Sequence, residues 1–540
     1  MRSQWARFFS SVATVDVREW LRLWQFWWLE TCLLLLIVST ALNWRSCIKS
    51  LDVRPPVWLL AIGLAVTAVV TVFELPARTN RIFYDEHIYQ SIGQNLAELR
   101  QAQICNHGNV DTGRLQCLAT EYNKQPYAYP HLLSVVYRVF GVGDGLAQSL
   151  NSYSVGLTIL ALFVLVIQLT GDVAAGLFAG LVLMLIPEYL RWSATAAVEP
   201  TAAFFAVVAV VATAHFVRRP GSRSLFWLVA AVAYAAQFRP ESILVVAVAG
   251  VLVVARASGE LRRRYIWIGM AAGLTLLAAH IGHLYTVRGE GWGAPGERVA
   301  MTYLGPNLRV NAWFYWWDAR FPMWYSVAAI GGVAFGAGQL RNRLILALYF
   351  LLFWATYLSF YAGSYNYGAD VRYSLMTYVP LAALAGLGLA TAVNRITMGG
   401  RPMRFAIVAL ALVWAFSWFA PYVRAEGEEA WGARADVAFA REVALTLPAN
   451  SLILTHNPGM FQLWGRNAAQ MSLATGSPER VTGWKARYGG RVYLHWNFWC
   501  NVADPAQQAF CKTALSQFPH VVVREQTVRD YRFAFYQLAP

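Results

Sequence analysis

Twelve apolar runs, most of them 15–20 residues long, divide this chain and leave few folds open to it. They lie near residues 27–43, 57–75, 148–168, 172–187, 200–217, 224–238, 240–256, 266–285, 324–339, 343–361, 374–393 and 404–421. At a rise of about 1.5 Å per residue, a helix of about 20 residues crosses about 30 Å of hydrocarbon. The composition agrees: 57% of the 540 residues are hydrophobic and 14% charged, against about 25% charged in soluble domains. A soluble enzyme and a disordered chain are both excluded. The expectation is a polytopic α-helical membrane protein with about twelve transmembrane helices. The run 131–140 is too short to cross and is expected to be a half-helix or interfacial segment.

Charge sets the orientation. There are 44 Lys and Arg against 29 Asp and Glu, but no basic run suited to nucleic acid. The cations gather in alternate short loops: Arg45, Lys49 and Arg54; Arg218, Arg219 and Arg223; Arg256 with Arg262–Arg264; Arg341 and Arg343; Arg395, Arg401 and Arg404. Such loops face the cytoplasm. Segments 76–147, 187–199, 286–323, 362–373 and the tail from 423 then face the other side. The stretch Arg2–Arg22 has no small-residue cleavage site before the first apolar run, so no signal peptide is expected. Cys105 and Cys117 share the first outer loop and Cys500 and Cys511 share the tail, a spacing that suggests two disulfides in an oxidising compartment.

The expected division is a transmembrane domain, 1–422, which includes outer loop 76–147, and an extracytoplasmic α/β domain, 423–540. In the tail, SLILT, RVYLHW and HVVVRE read as strands around a helical QQAFCKTALSQF. In the outer loop, Ile88, Ile92, Leu96 and Leu99 recur at helical spacing, which suggests a helix lying along the membrane surface. Asp85 and Glu86 stand in its first turn. Adjacent helical residues diverge by about 100°, so the two acids do not easily share a target atom. From the helix alone, Asp85 reads as a cap that complements the helix dipole.

Further ionisable residues stand at the outer ends of apolar runs, where charge is costly and often functional: Lys124, Arg191, Glu199, Arg239, Glu241, Asp370 and Arg372, with Tyr373 alongside. The order is Asp-Glu in a long first outer loop, Lys-Gln-Pro before a short apolar segment, Glu-Pro opening a helix, Arg-Pro-Glu, and Arg-Tyr on a late helix. With its C-terminal outer domain, this layout resembles the GT-C membrane glycosyltransferases, nearest to the protein O-mannosyltransferases and the lipid A aminoarabinose transferases. Two departures are an extra apolar run before the Asp-Glu loop and Lys-Gln-Pro where many relatives have Lys-Pro-Pro.

The resemblance implies a sugar donor carried on a polyprenyl monophosphate, and an acceptor hydroxyl on a glycan, glycolipid or protein. It implies Asp85 as the base for a single inverting displacement, with Glu86 orienting the acceptor or a cation. Lys124, Arg372 and Arg239, with Tyr373 as a donor, would hold the phosphate. Glu199, Tyr84, His87 and Trp317 complete the candidate substrate contacts. No obligatory metal is expected, although Asp85, Glu199 and His87 are ligand types for a divalent cation. Trp313, Trp316 and Trp317 read first as an aromatic belt. The implied setting is a bacterial inner membrane with the site on the periplasmic side. Three other readings stay open: an oligosaccharyltransferase using a pyrophosphate-linked glycan, a secondary transporter, and a non-catalytic lipid-glycan binding protein.

Overall fold

The structure is a computed structural model and describes residues 2–290, 294, 296–395 and 400–539. Parts of the expected outer segment 286–323 and of the basic loop 395–404 lie outside the described residues. The chain divides into two compact units. One comprises residues 1–26, 79–147 and 427–540; the other comprises 27–78 and 148–426.

The second unit is the membrane unit. Each of the twelve apolar runs falls on a helix. Among the described residues seven helices are long and apolar enough to cross, or eight with the bent pair Val173–Met184 and Pro187–Ser193, and three shorter apolar helices accompany them. The protein is therefore a multi-pass membrane protein. Helices Pro55–Glu74 and Arg264–Thr286 leave most of their apolar surface uncovered, whereas Glu199–Arg218 and Asp370–Arg395 are largely buried. Apolar side chains exposed on a membrane helix are the surface that lipid covers. The central helix Leu375–Arg395 packs on Met323–Phe335 so closely that a methyl group on Gly332 or Gly388 would strike the carbonyl of Leu384 or Ala328. Small residues permit this approach.

The first unit is built on a mixed seven-stranded sheet. Its strands are β1 (Ile104–Asn109), β2 (Gln116–Glu121), β3 (Leu452–Thr455), β4 (Asn467–Gln470), β5 (Val492–Trp496), β6 (His520–Val528) and β7 (Tyr531–Leu538), in the order β2-β1-β4-β3-β5-β7-β6. β3 runs parallel to β4 and β5, and every other pair is antiparallel. Side chains alternate across the sheet. Leu452, Leu454, Val492 and Leu494 enter a core with Trp484 and Phe518. Ile453 and Tyr493 enter another with Phe439, Phe461, Phe533 and Phe535. Disulfides Cys105–Cys117 and Cys500–Cys511 are present. One staples β1 to β2; the other ties the turn Phe498–Cys500 to helix Pro505–Ser516.

Two expectations need correction. Outer loop 76–147 was assigned to the transmembrane domain, yet its hairpin pairs with β4 through His107–Ala469 and Gly108–Ala468, so residues 79–147 share a sheet with the tail. Helix Asp85–Leu99 was expected to lie along the membrane surface. Instead protein surrounds it: Gln90, Ser91, Gln94 and Asn95 on its polar side are buried along with Ile92 and Leu96. Ser91 meets Gly459 so closely that a Cβ there would clash, and Gly93 admits Leu133 and Tyr137 of helix Ala128–Phe140.

Candidate functional site

In the first unit the site is built around the entry to helix Asp85–Leu99. Phe83 takes a left-handed conformation, φ +42°, which costs a non-glycine residue about 1–2 kcal/mol. Its ring packs on Phe498 and Trp499 at 5.4 and 6.3 Å. This reversal presents Asp85 as the first helical residue, with its own N–H donated to the carbonyl of Ile82 at 2.9 Å. Its carboxyl group belongs to the first turn, at the positive end of the helix dipole.

Glu86 is fully buried, and its Oε2 accepts the backbone N–H groups of Arg81 at 2.6 Å and Ile82 at 2.9 Å. It is a brace for the turn that aims Asp85. Arg81, also buried, pairs with Glu429 at 3.3 Å.

Tyr84 runs in the opposite direction, into the core. Its hydroxyl donates to Asp436, whose other oxygen lies 3.0 Å from His495 Nε2; His495 Nδ1 lies 3.2 Å from the Thr455 hydroxyl. Burial, then the Asp436 carboxylate, pushes the Tyr84 phenol well above its ordinary value, so it remains a neutral donor. His87 is buried beside Asn80, 3.3 Å away, and burial pushes its imidazole down to about 4. Tyr84 and His87 line a small cavity of about 200 Å3 with Ser91, His456 and Asn457. Lys124 is half-buried on the turn before helix Ala128–Phe140. That turn is fixed by the Tyr127 hydroxyl donating to the Asn123 carbonyl at 3.1 Å and by the Gln125 N–H donating to Asn123 Oδ1 at 2.7 Å.

In the membrane unit the structure joins six residues that the sequence singled out separately. Glu199 opens helix Glu199–Arg218, and its Oε1 accepts from Arg239 and, at 3.0 Å, from Arg372 Nε. Arg239 also pairs with Glu241, and Arg372 pairs with Asp370 at 3.1 Å. Arg372 Nη2 lies 3.3 Å from the Tyr373 hydroxyl. Both guanidinium groups lie over the Tyr373 ring, 5.1 and 4.8 Å from its centroid. Tyr357, which sequence reasoning missed, stacks on Tyr373 at 4.2 Å and donates to Glu241. It lies mid-run among other aromatics, with nothing local to mark it. Trp317 is not part of this cluster: it is 63% exposed and its ring neighbour is Trp313 at 5.8 Å, the arrangement of an aromatic belt.

Chemically, each guanidinium offers five N–H donors in a fixed plane. Carboxylates engage Nε and Nη1 of each, and a tyrosine hydroxyl meets each Nη2, which sets the planes. Such preorganised cations suit an oxyanion whose charge grows during reaction. Among the described residues, the His/Cys/Asp/Glu group drawn together closely enough for a metal ion is His456 with Cys500 and Cys511, and the disulfide occupies both sulfurs.

The multi-pass helical fold is one that solved membrane proteins share. Residues 124–283 match the family model described as dolichyl-phosphate-mannose-protein mannosyltransferase. Among solved structures the chain is similar to ArnT from Cupriavidus metallidurans bound to undecaprenyl phosphate, with 15% identity over 90% of this chain and 98% of that one and a TM-score of 0.54. The apo state of the same protein aligns with 14% identity, over 89% and 98%, and a TM-score of 0.51. No curated protein sequence matches the chain.

Proposed function

We propose that this protein is an inverting glycosyltransferase that moves a sugar from a polyprenyl-monophosphate donor to an acceptor hydroxyl on a glycan, glycolipid or protein. The observation that carries the reading is the pair Arg239 and Arg372, held by one shared carboxylate of Glu199 within a fold that also serves a protein bound to undecaprenyl phosphate. The acceptor oxygen attacks the anomeric carbon as Asp85 takes its proton. The bond from that carbon to the phosphate oxygen breaks, and its electron pair leaves with the polyprenyl phosphate. The phosphate gains one negative charge in this step, and Arg239, Arg372 and Lys124 stabilise it. A phosphate leaving group needs no acid. Glu86 and Tyr84 hold the turn that carries Asp85, and Tyr373 fixes the two guanidinium planes. No metal step is required by this scheme. The proposed setting is a bacterial inner membrane with the first unit on the periplasmic side.

Transfer of radiolabelled sugar by the purified protein tests the reading. Asp85→Asn should lower turnover about 10²–10⁴-fold while donor binding persists. Solute counterflow in proteoliposomes without any transfer would instead identify a transporter. Donor binding without turnover by the unaltered protein, across glycan, glycolipid and peptide acceptors, would identify a binding protein.

A further inference from the structure

The first unit contains a cleft of about 900 Å3 that the scheme above leaves unused. Gln94 and Glu98 form part of its wall. They lie nine and thirteen residues beyond Asp85, which places them about 14–20 Å along the helix and on its opposite face. The cleft is therefore separate from the proposed catalytic carboxylate.

Its lining has a definite chemistry. Arg100, Arg114, Arg138 and Arg441 come from four different segments, against the acids Glu98 and Asp144, an excess of two positive charges. Asp144 organises one end: its Oδ2 accepts from the Trp464 indole N–H at 3.2 Å and from Arg441 at 3.0 Å. The Arg441 guanidinium then lies 5.8 Å from the Trp464 ring. An apolar plate is thus fixed beside a cation, an arrangement suited to the C–H face of a sugar ring carrying an acid group. Gly113 and Gly141 border the cleft with φ +75° and +83°, and open space lies where a Cβ would stand. The lack of side chains there keeps the cleft open, while both glycine N–H groups are donated within the protein, to the carbonyls of Val110 and Tyr137. The volume falls among sites for drug-sized ligands, enough for a short oligosaccharide.

We propose that this cleft is a second, non-catalytic site that binds an acidic oligosaccharide, with carboxylate or phosphate groups on its arginines and a sugar ring on Trp464. Calorimetry on the full-length protein in detergent, with tetragalacturonic acid, maltotetraose and inorganic phosphate as probes, tests it without reading transfer. The binding result thus stands whether or not the protein is a glycosyltransferase. Tetragalacturonic acid should bind saturably, and at least about tenfold more tightly than maltotetraose or phosphate. Raising the salt from about 50 to 300 mM should weaken it several-fold. Arg441 and Arg114 are exposed, so Arg441→Ala and Arg114→Ala should keep the melting temperature and lower affinity about five- to tenfold each. Asp85→Asn should leave binding unchanged.

Several results would overturn the proposal. They are an absence of saturable binding by tetragalacturonic acid, affinity indifferent to both arginine variants, phosphate or maltotetraose binding as tightly, or loss of binding in Asp85→Asn.

Discussion

The two units bury charge in different ways. In the first unit Glu86 accepts backbone N–H groups of its own turn, while Asp436, with Tyr84 and His495, and Arg81, with Glu429, find partners distant in sequence. In the membrane unit Glu199, Glu241 and Asp370 are matched by Arg239 and Arg372, side chains from separate helix ends. A backbone cap is local and fixes one turn. An ion cluster is non-local, and taking away one partner strands another charge in a poorly hydrated place. The first arrangement fixes the entry to one helix; the second ties two cations to three carboxylates.

Single substitutions can break this contrast. Asp85→Asn should have the largest effect, about 10²–10⁴-fold in turnover with an unchanged melting temperature, measured by sugar transfer and by thermal unfolding in detergent. A stability loss on that scale would make Asp85 structural. Arg239→Ala should lower turnover and also cost about 3–5 kcal/mol of stability by leaving Glu199 and Glu241 short of a partner; Arg239→Lys should recover part of the stability. If Arg239→Ala unfolds at the normal temperature, the cluster is hydrated rather than buried.

Reducing the disulfides should act on the first unit alone. Each closes a loop of 11–12 residues, worth about 3 kcal/mol in the chain-entropy view. Hydrogen exchange should show the sheet loosening while the membrane helices stay protected. Acidification should also loosen the first unit. Burial pushes His87, His107 and His456, all in the first unit, down to about 4. Between about pH 6.5 and 4 the unfolded chain binds more protons at these residues. Their contribution is complete above the unfolded value and is lost as the pH falls through this window, so exchange protection in the sheet should fall there first. The smallest effect is expected from Tyr84→Phe, which leaves Asp436 one hydrogen bond short at about 1–2 kcal/mol. Turnover should fall with it if that bond steadies the turn beneath Asp85; unaltered kinetics would separate the network from the site.

Much of this was legible in the sequence, because length and apolar content alone mark a helix that can cross a membrane. Strands such as Leu452–Thr455 and Val492–Trp496 announce themselves through β-branched and aromatic content. β4, with the sequence NAAQ, carries no such signal and exists because neighbouring strands supply its hydrogen bonds. The helix Asp85–Leu99 misled for a related reason. Helical periodicity marks an apolar face but does not reveal whether lipid or protein covers it, nor that Gln90 and Asn95 on the other face are buried too. In the membrane unit, Glu-Pro, Arg-Pro-Glu and Arg-Tyr pointed to Glu199, Arg239, Arg372 and Tyr373 one at a time. That one carboxylate oxygen serves both arginines is a property of tertiary packing, which local spacing does not encode.

The pairing of β1 with β4 also has a consequence for biosynthesis. The hairpin emerges early from the ribosome, while the strand that completes its free side is made more than three hundred residues later. At about 5–20 residues per second, that delay is on the order of tens of seconds. Throughout it, an open row of amide and carbonyl groups waits for its mate. That edge of the hairpin therefore stays unpaired until residues 467–470 are made.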